Sequence, residues 1–212
     1  MVYLNGKTEA DYNANFIHWE CTVPEPQTET MTIPLRDGFL NLTPMLSEEI
    51  HYNSRQITIG LELRSFRSDW EAYWSQLMRD LHGQEVKVSR SEDPNYYYIG
   101  TAKVGPIQDH GSTAGVNITV EAQPFKRTES FVENVSISVS GTTTRTVHNK
   151  YMRGYPLWKA SASGMTVTLN GETWNIPTTE SDLFWMYFSE GDNALTLKGS
   201  GTVKLRWRGG LL

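Results

Sequence analysis

A single cysteine, Cys21, stands in a chain of 212 residues, so no internal disulfide can form and the fold does not depend on an oxidising compartment. Long hydrophobic runs are also missing. The longest, Leu183 to Phe188, has six residues, against the roughly 20 that a helix needs to cross a bilayer, and membrane insertion is not expected. The N-terminus lacks a basic stretch followed by an apolar one, so no secretory signal is read. The N-x-S/T triplets at Asn41, Asn117 and Asn134 are then chance occurrences, and synthesis in a cytoplasm is expected.

Reactive constellations are equally scarce. His18, His51, His82, His110 and His148 are scattered with no metal-ligand spacing. No nucleophile elbow and no phosphate-binding glycine loop occurs. The carboxylate pairs Glu48-Glu49 and Glu92-Asp93 fall in turn-like sequence and read as solvated surface, and Glu190-Gly191-Asp192-Asn193 reads as a turn between strands rather than a calcium loop. The sequence therefore assigns no catalytic, cofactor-binding or metal-binding residue and no enzyme activity, and its binding surface stays unassigned. A net charge of −5 argues against general nucleic-acid binding. That charge is uneven: residues 1–126 hold ten Lys/Arg against seventeen Asp/Glu, and residues 127–212 hold nine against seven.

What the chain does contain is strand periodicity and one helix. From Ser68 to Gly83, apolar residues fall at Trp70, Tyr73, Trp74, Leu77, Met78 and Leu81, one continuous stripe at a 3.6-residue period. Ser68 and Glu71 have the spacing of a capping box, and Gly83 follows where a left-handed stop is needed. The spacing predicts a helix over about 69–82 whose face belongs to a core. Around it the pattern is two-residue alternation, clearest in Ile57, Ile59, Leu61 and Leu63 and again in Val116, Ile118, Val120 and Ala122. Phe16 to Val23, Val86 to Ser89 and Tyr96 to Val104 read as further strands. Asn5-Gly6 and Asp37-Gly38 mark hairpin turns, the second folding Met31 to Leu42, and Gly105 to Gly115 reads as an exposed connection.

The second half has no helical stretch. Phe131 to Val139, Thr142 to Val147, Leu183 to Phe188, Ala194 to Lys198 and Thr202 to Trp207 read as short strands, with a hairpin from Met165 to Ile176 turned at Asn170-Gly171. Regular short strands with glycine-rich turns indicate a sandwich or barrel. Trp70 and Trp74 belong to the helix face, while Trp174, Trp185 and Trp207 lie in strand-like sequence where core packing is the default. The expected class is mainly β: an N-terminal β-sandwich with one helix over residues 1–126 and a second β-sandwich over residues 127–212.

Several motifs, in order, resemble the distal tail (Dit) protein family of tailed bacteriophages and prophages. They are the run Pro34-Leu35-Arg36-Asp37-Gly38-Phe39-Leu40-Asn41-Leu42-Thr43; the segment Tyr52-Asn53-Ser54-Arg55-Gln56-Ile57-Thr58; the helix end Leu81-His82-Gly83; and Asp93-Pro94-Asn95-Tyr96-Tyr97-Tyr98-Ile99-Gly100. In the second half, Asn170-Gly171, Gly191-Asp192-Asn193 and the closing Trp207-Arg208-Gly209-Gly210-Leu211 are similar to that family's galectin-like β-sandwich. The resemblance implies a structural virion protein of a siphophage tail tip. Its N-terminal domains would form a hexameric hub ring joining the tail tube to the tail-associated protein or baseplate, with the galectin-like domains projecting outwards. Implied partners are further copies of the chain, the tail tube protein, the tape measure protein and tail-associated or receptor-binding proteins, with no cofactor. The chain departs from larger members in carrying no inserted carbohydrate-binding module. Two other readings remain: a carbohydrate-binding β-sandwich module, which needs exposed coplanar aromatics, and another tail protein such as a tube or completion protein.

Overall fold

The structure, a computed structural model, describes residues 1–46, 49–183 and 185–212. It divides into two compact units: Met1–Asp93 with Tyr98–Pro124, and Pro94–Tyr97 with Phe125–Leu212. The fold is mainly β, as the alternation predicted.

The first unit opens with β1 (Val2–Leu4) and β2 (Lys7–Thr8), joined through Asn5 and Gly6 at φ 52° and 81°. Both residues are left-handed, as a tight type I′ hairpin requires, so Asn-Gly here acts as predicted. A short 3-10 turn leads into β3 (Ala14–Cys21). An excursion follows that contains β4 (Thr30–Met31), β5 (Leu40–Asn41) and a single helical turn, α1 (Thr43–Leu46). The chain returns in β6 (Arg55–Leu63) and, after the 3-10 turn Arg67–Asp69, forms α2 (Trp70–Leu81). Then come β7 (Glu85–Arg90), β8 (Asp93–Val104), β9 (Gln108–Asp109) and β10 (Ala114–Ala122). Antiparallel pairing runs in the order β3-β6-β10-β8-β7-β1-β2. Ile57, Ile59, Leu61 and Leu63 pair with Val120, Ile118, Val116 and Ala114, and all eight are buried. The period of two has put one whole face of each strand into the core.

Helix α2 closes this core. Trp70, Leu77 and Leu81 are buried in the same cluster as the strands, and Tyr73, Trp74 and Met78 pack half-buried at its margin. The Trp74 indole spends its N–H on the Gly105 carbonyl at 2.9 Å. The stop is as predicted, with Gly83 at φ 74° and its N–H donating to the Ala102 carbonyl at 2.8 Å. The start is not. The residue before the helix is Asp69, which makes no side-chain cap bond, and the Ser68 hydroxyl donates to the Asp69 carboxylate at 3.0 Å. The chain is already in the 3-10 turn at Ser68, so its hydroxyl is not placed to meet the first free amides, and no capping box forms.

The second unit contains β11 (Lys126–Thr128), β12 (Glu133–Ala160), β13 (Thr166–Leu169), β14 (Glu172–Asn175), β15 (Ser181–Asp182) and β16 (Phe188–Leu211). β12 and β16 are long, and β16 pairs with different segments along its length. Residues 203–207 of β16 lie between residues 133–137 and 156–160 of β12, whereas residues 196–198 lie between residues 142–144 of β12 and β13. The two ribbons turn the corner at paired Gly141 and Gly199, with φ 74° and 129°. Phe131–Val139 and Thr142–Val147 are therefore stretches of one bent ribbon rather than separate strands, and strand continues through residues 150–160. The predicted hairpin turn at Asn170-Gly171 stands, with φ 50° and 84°.

The strand expected over Leu183 to Phe188 is replaced. Phe184 lies outside the described residues, Met186 donates its N–H to the Leu183 carbonyl at 3.0 Å, and strand begins at Phe188. Leu183, Met186 and Phe188 are buried, so the apolar run reflects a turn whose flanks plug the core. That core centres on Phe188, which lies edge-on to Trp207 and Trp158 with ring centroids 5.5 and 6.3 Å apart. Beside it, Phe131 lies under both Arg206 and Arg208, at 4.0 and 4.2 Å, and Arg127 covers Tyr155 at 4.0 Å. The strand segment Pro94–Tyr97 is held by the same means, with Lys126 over Tyr96 at 4.6 Å and Arg208 over Tyr97 at 5.6 Å.

Candidate assembly surface

The excursion between β3 and β6 is an arm built on the end of their hairpin. At its base Thr22 donates its N–H to the Gln56 carbonyl at 2.9 Å, and Gln56 donates back to the Thr22 hydroxyl at 2.9 Å. Further out Asn53 bonds to Glu25 and Gln27 to His51, each N–H to carbonyl at 2.8 Å. Pro24 and Pro26 lack donors, which keeps this ladder open rather than a regular sheet. Beyond them Thr30 pairs with Asn41 and Met31 with Leu40. The predicted Met31–Leu42 hairpin therefore exists, with strands of two residues and a loop over residues 32–39.

The side chains of the arm are the anomaly. Val23, Met31, Leu35, Phe39, Met45 and Ile50 are all exposed, Phe39 at 69% and Met45 at 79%. Isolated surface apolars are ordinary, but a run of large ones on a projecting segment marks a surface that a partner covers. Leu35 also holds φ at 64°, a conformation a leucine reaches only at a cost. Glu49 of the first acidic pair lies on this arm, and Glu48 falls outside the described residues.

Next to the base lies an open cleft of about 730 Å³ whose lining includes Arg55, Gln56, Lys103, Asn117, Thr119 and Glu121. Arg55 is buried over the Tyr98 ring at 5.3 Å, with Nη1 3.6 Å from the Cys21 sulfur. Burial pushes the Tyr98 hydroxyl above its usual range. This group braces β3 against β8, and Trp19 joins it, with its ring centroid 6.2 Å from that of Tyr98.

The histidines serve separate structural ends. His18 packs across Gly60, His82 accepts a bond from the Val104 N–H at 3.2 Å, and His148 pairs with Asp192 at 2.8 Å. Among the described residues no group of three His, Cys, Asp or Glu side chains is placed to hold a metal ion. The Gly191-Asp192-Asn193 turn uses Asn193 internally, its amide donating to the Ser189 and Gly191 carbonyls at 2.9 and 3.1 Å. Among the tryptophans of the second unit, Trp158 and Trp207 are fully buried, Trp174 is half-buried, and Trp185 is 79% exposed in a turn at φ 62°. Core packing thus fails as a reading for Trp185 alone, and one exposed indole is not a coplanar stacking platform. No described helix is long and apolar enough to cross a membrane.

No family model matches this sequence, and no curated protein matches it. The arrangement of solved structures is more informative. A helix-bearing β unit with a second β unit is also found among solved structures. The Dit protein of phage SPP1, a hub protein of the adsorption apparatus in phages that infect Gram-positive bacteria, matches with a TM-score of 0.60 at 15% identity over 100% of this chain and 98% of that one. At that identity the likeness is one of fold.

Proposed function

We propose that this chain is a structural protein of a phage or prophage tail tip, in which six copies close into a hub ring through their first units. The ring would join the tail tube to the tail-associated protein or baseplate, with the second units available to receptor-binding proteins. The tape measure protein would meet the same ring. One observation carries the reading beyond fold likeness: the arm of residues 22–54 displays seven large apolar side chains to solvent, Leu40 among them. A ring works by shape and by repeated head-to-tail contacts, each using two different patches per subunit, and it needs no catalytic group.

Native mass measurement and negative staining of the full chain test this reading. Closed six-membered particles are expected at high concentration or on tail tubes. Replacing residues 27–51 by a short Gly-Ser turn should leave the melting transition in place and abolish the particles. A chain that stays monomeric under every condition, including with tail tubes, overturns the ring.

A further inference from the structure

The arm has a matching surface on its own chain. β6 runs nine residues, from Arg55 next to the arm to Leu63 at the far end, about 30 Å at the rise of a strand. Immediately beyond Leu63 come Arg64, Ser65, Phe66 and Arg67. Phe66 is 83% exposed, the largest exposure of any aromatic ring among the described residues, and it sits between two arginines. Arg64 is exposed and donates to the Asn15 side-chain oxygen. The Arg67 side chain is 70% exposed, pairs with Asp109, and rests over the Trp70 ring at 5.7 Å. The arm is acidic. Residues 22–54 carry Glu25, Glu29, Asp37, Glu48 and Glu49 against Arg36 alone, a net charge of −4.

We infer that the acidic, apolar arm of one copy seats on the Arg64–Phe66–Arg67 end of the next copy, with Phe66 as the buried anchor and the two arginines facing arm carboxylates. The occupant is a second copy because one β3–β6 hairpin bears both surfaces at opposite ends, the acidic arm at one and at the other two arginines, of which Arg67 would exchange its Asp109 partner for an arm carboxylate. Such a pair cannot close isologously and propagates head to tail. An aromatic flanked by arginines is also the composition on which interface energy concentrates. Neither surface alone needs the other for folding: Phe66 precedes the helix without entering the core, and the arm leaves the sheet beyond Thr22 and Gln56. The inference rests on the hub reading and adds to it the acceptor surface.

The test places a photo-activatable benzoylphenylalanine at position 66 in full chain and irradiates it mixed with isotope-labelled chain that lacks the probe. Adducts between the two species are expected within residues 22–54. In parallel, Phe66→Ser and the double change Arg64→Glu with Arg67→Glu should each weaken assembly about tenfold or more, with melting unchanged, and added salt should weaken the wild type. Glu25→Lys with Glu29→Lys should restore assembly to the double arginine variant. Rings that form undiminished in Phe66→Ser, or adducts that map outside residues 22–54, overturn this pairing while leaving the hub ring standing. No self-association by wild type in any condition overturns both.

Discussion

Asn149 carries more of the second unit than its size suggests. It is fully buried, and its amide donates to the carbonyls of Tyr151, Phe188 and Ser189 at 2.9, 3.2 and 3.2 Å while its oxygen accepts from the Tyr151 N–H. This side chain fastens the place where the pairing of β12 with β16 shifts register. Asn149→Ala removes the donor to the Tyr151 and Phe188 carbonyls, while Ser189 keeps its bond from Asn193, and should cost about 2 kcal/mol, read as a shift in the urea midpoint at constant slope. On the surface, Asp80 accepts from Lys7 at 2.9 Å, and that hydrogen bond holds its carboxyl below the usual 3.8. Because the folded value is depressed, the stabilisation is present above the unfolded value and is lost as pH falls through the folded one. Asp80→Asn should therefore lower the melting temperature slightly at pH 7 and not at pH 2, the difference vanishing across the acid range. An exposed pair of this kind gives a small effect.

At the scale of elements, α2 shows what a periodic pattern can and cannot say. The stripe identified the helix and its inward face, yet Trp74 lies at the margin of the core with its indole bonded to Gly105. Trp74→Ala should cost about 2 kcal/mol, below the roughly 3–5 of a fully buried ring. Trp74→Phe should cost about 1 kcal/mol, mainly the lost hydrogen bond. Chemical denaturation of the two variants separates the packing contribution from the polar one. Local signals were legible wherever one face alone was buried: the alternation of β6 and β10, and the Asn-Gly turns at residues 5–6 and 170–171. They failed where tertiary context decided. Gly141, Gly199 and Gly201 look like breaks between strands, but they are corners within ribbons. The apolar run at residues 183–188 looks like a strand, but its buried members flank a turn. The candidate assembly surface was half legible. Asp37-Gly38 marked the arm, but no periodicity announces that Phe39 and Phe66 face water, since exposure depends on what the rest of the unit leaves uncovered.

At the scale of the molecule, the division of the chain decides how it can be cut. Pro94–Tyr97 belongs to the second unit although it is the beginning of β8, and Tyr97 is buried there beneath Arg208. A chain ending at Pro124 would expose Tyr96 and Tyr97, whose covering cations Lys126 and Arg208 it lacks. Such a chain should aggregate on purification, and Tyr96→Ser with Tyr97→Ser should return it to solution with its melting transition intact, as light scattering and calorimetry will show.

The backbone passes from one unit to the other three times, after Asp93, after Tyr97 and after Pro124. A load applied to the second unit is carried through these crossings. With a single tether, that load would fall on one loop. With three crossings, two of them within β8, tension divides among separate paths, and giving way means drawing Tyr96 and Tyr97 out from beneath Lys126 and Arg208 while β11 is sheared from β8. Pulled in an optical trap from its own ends, the second unit should yield at a force set by that sliding strand, as a splice gives way by slipping.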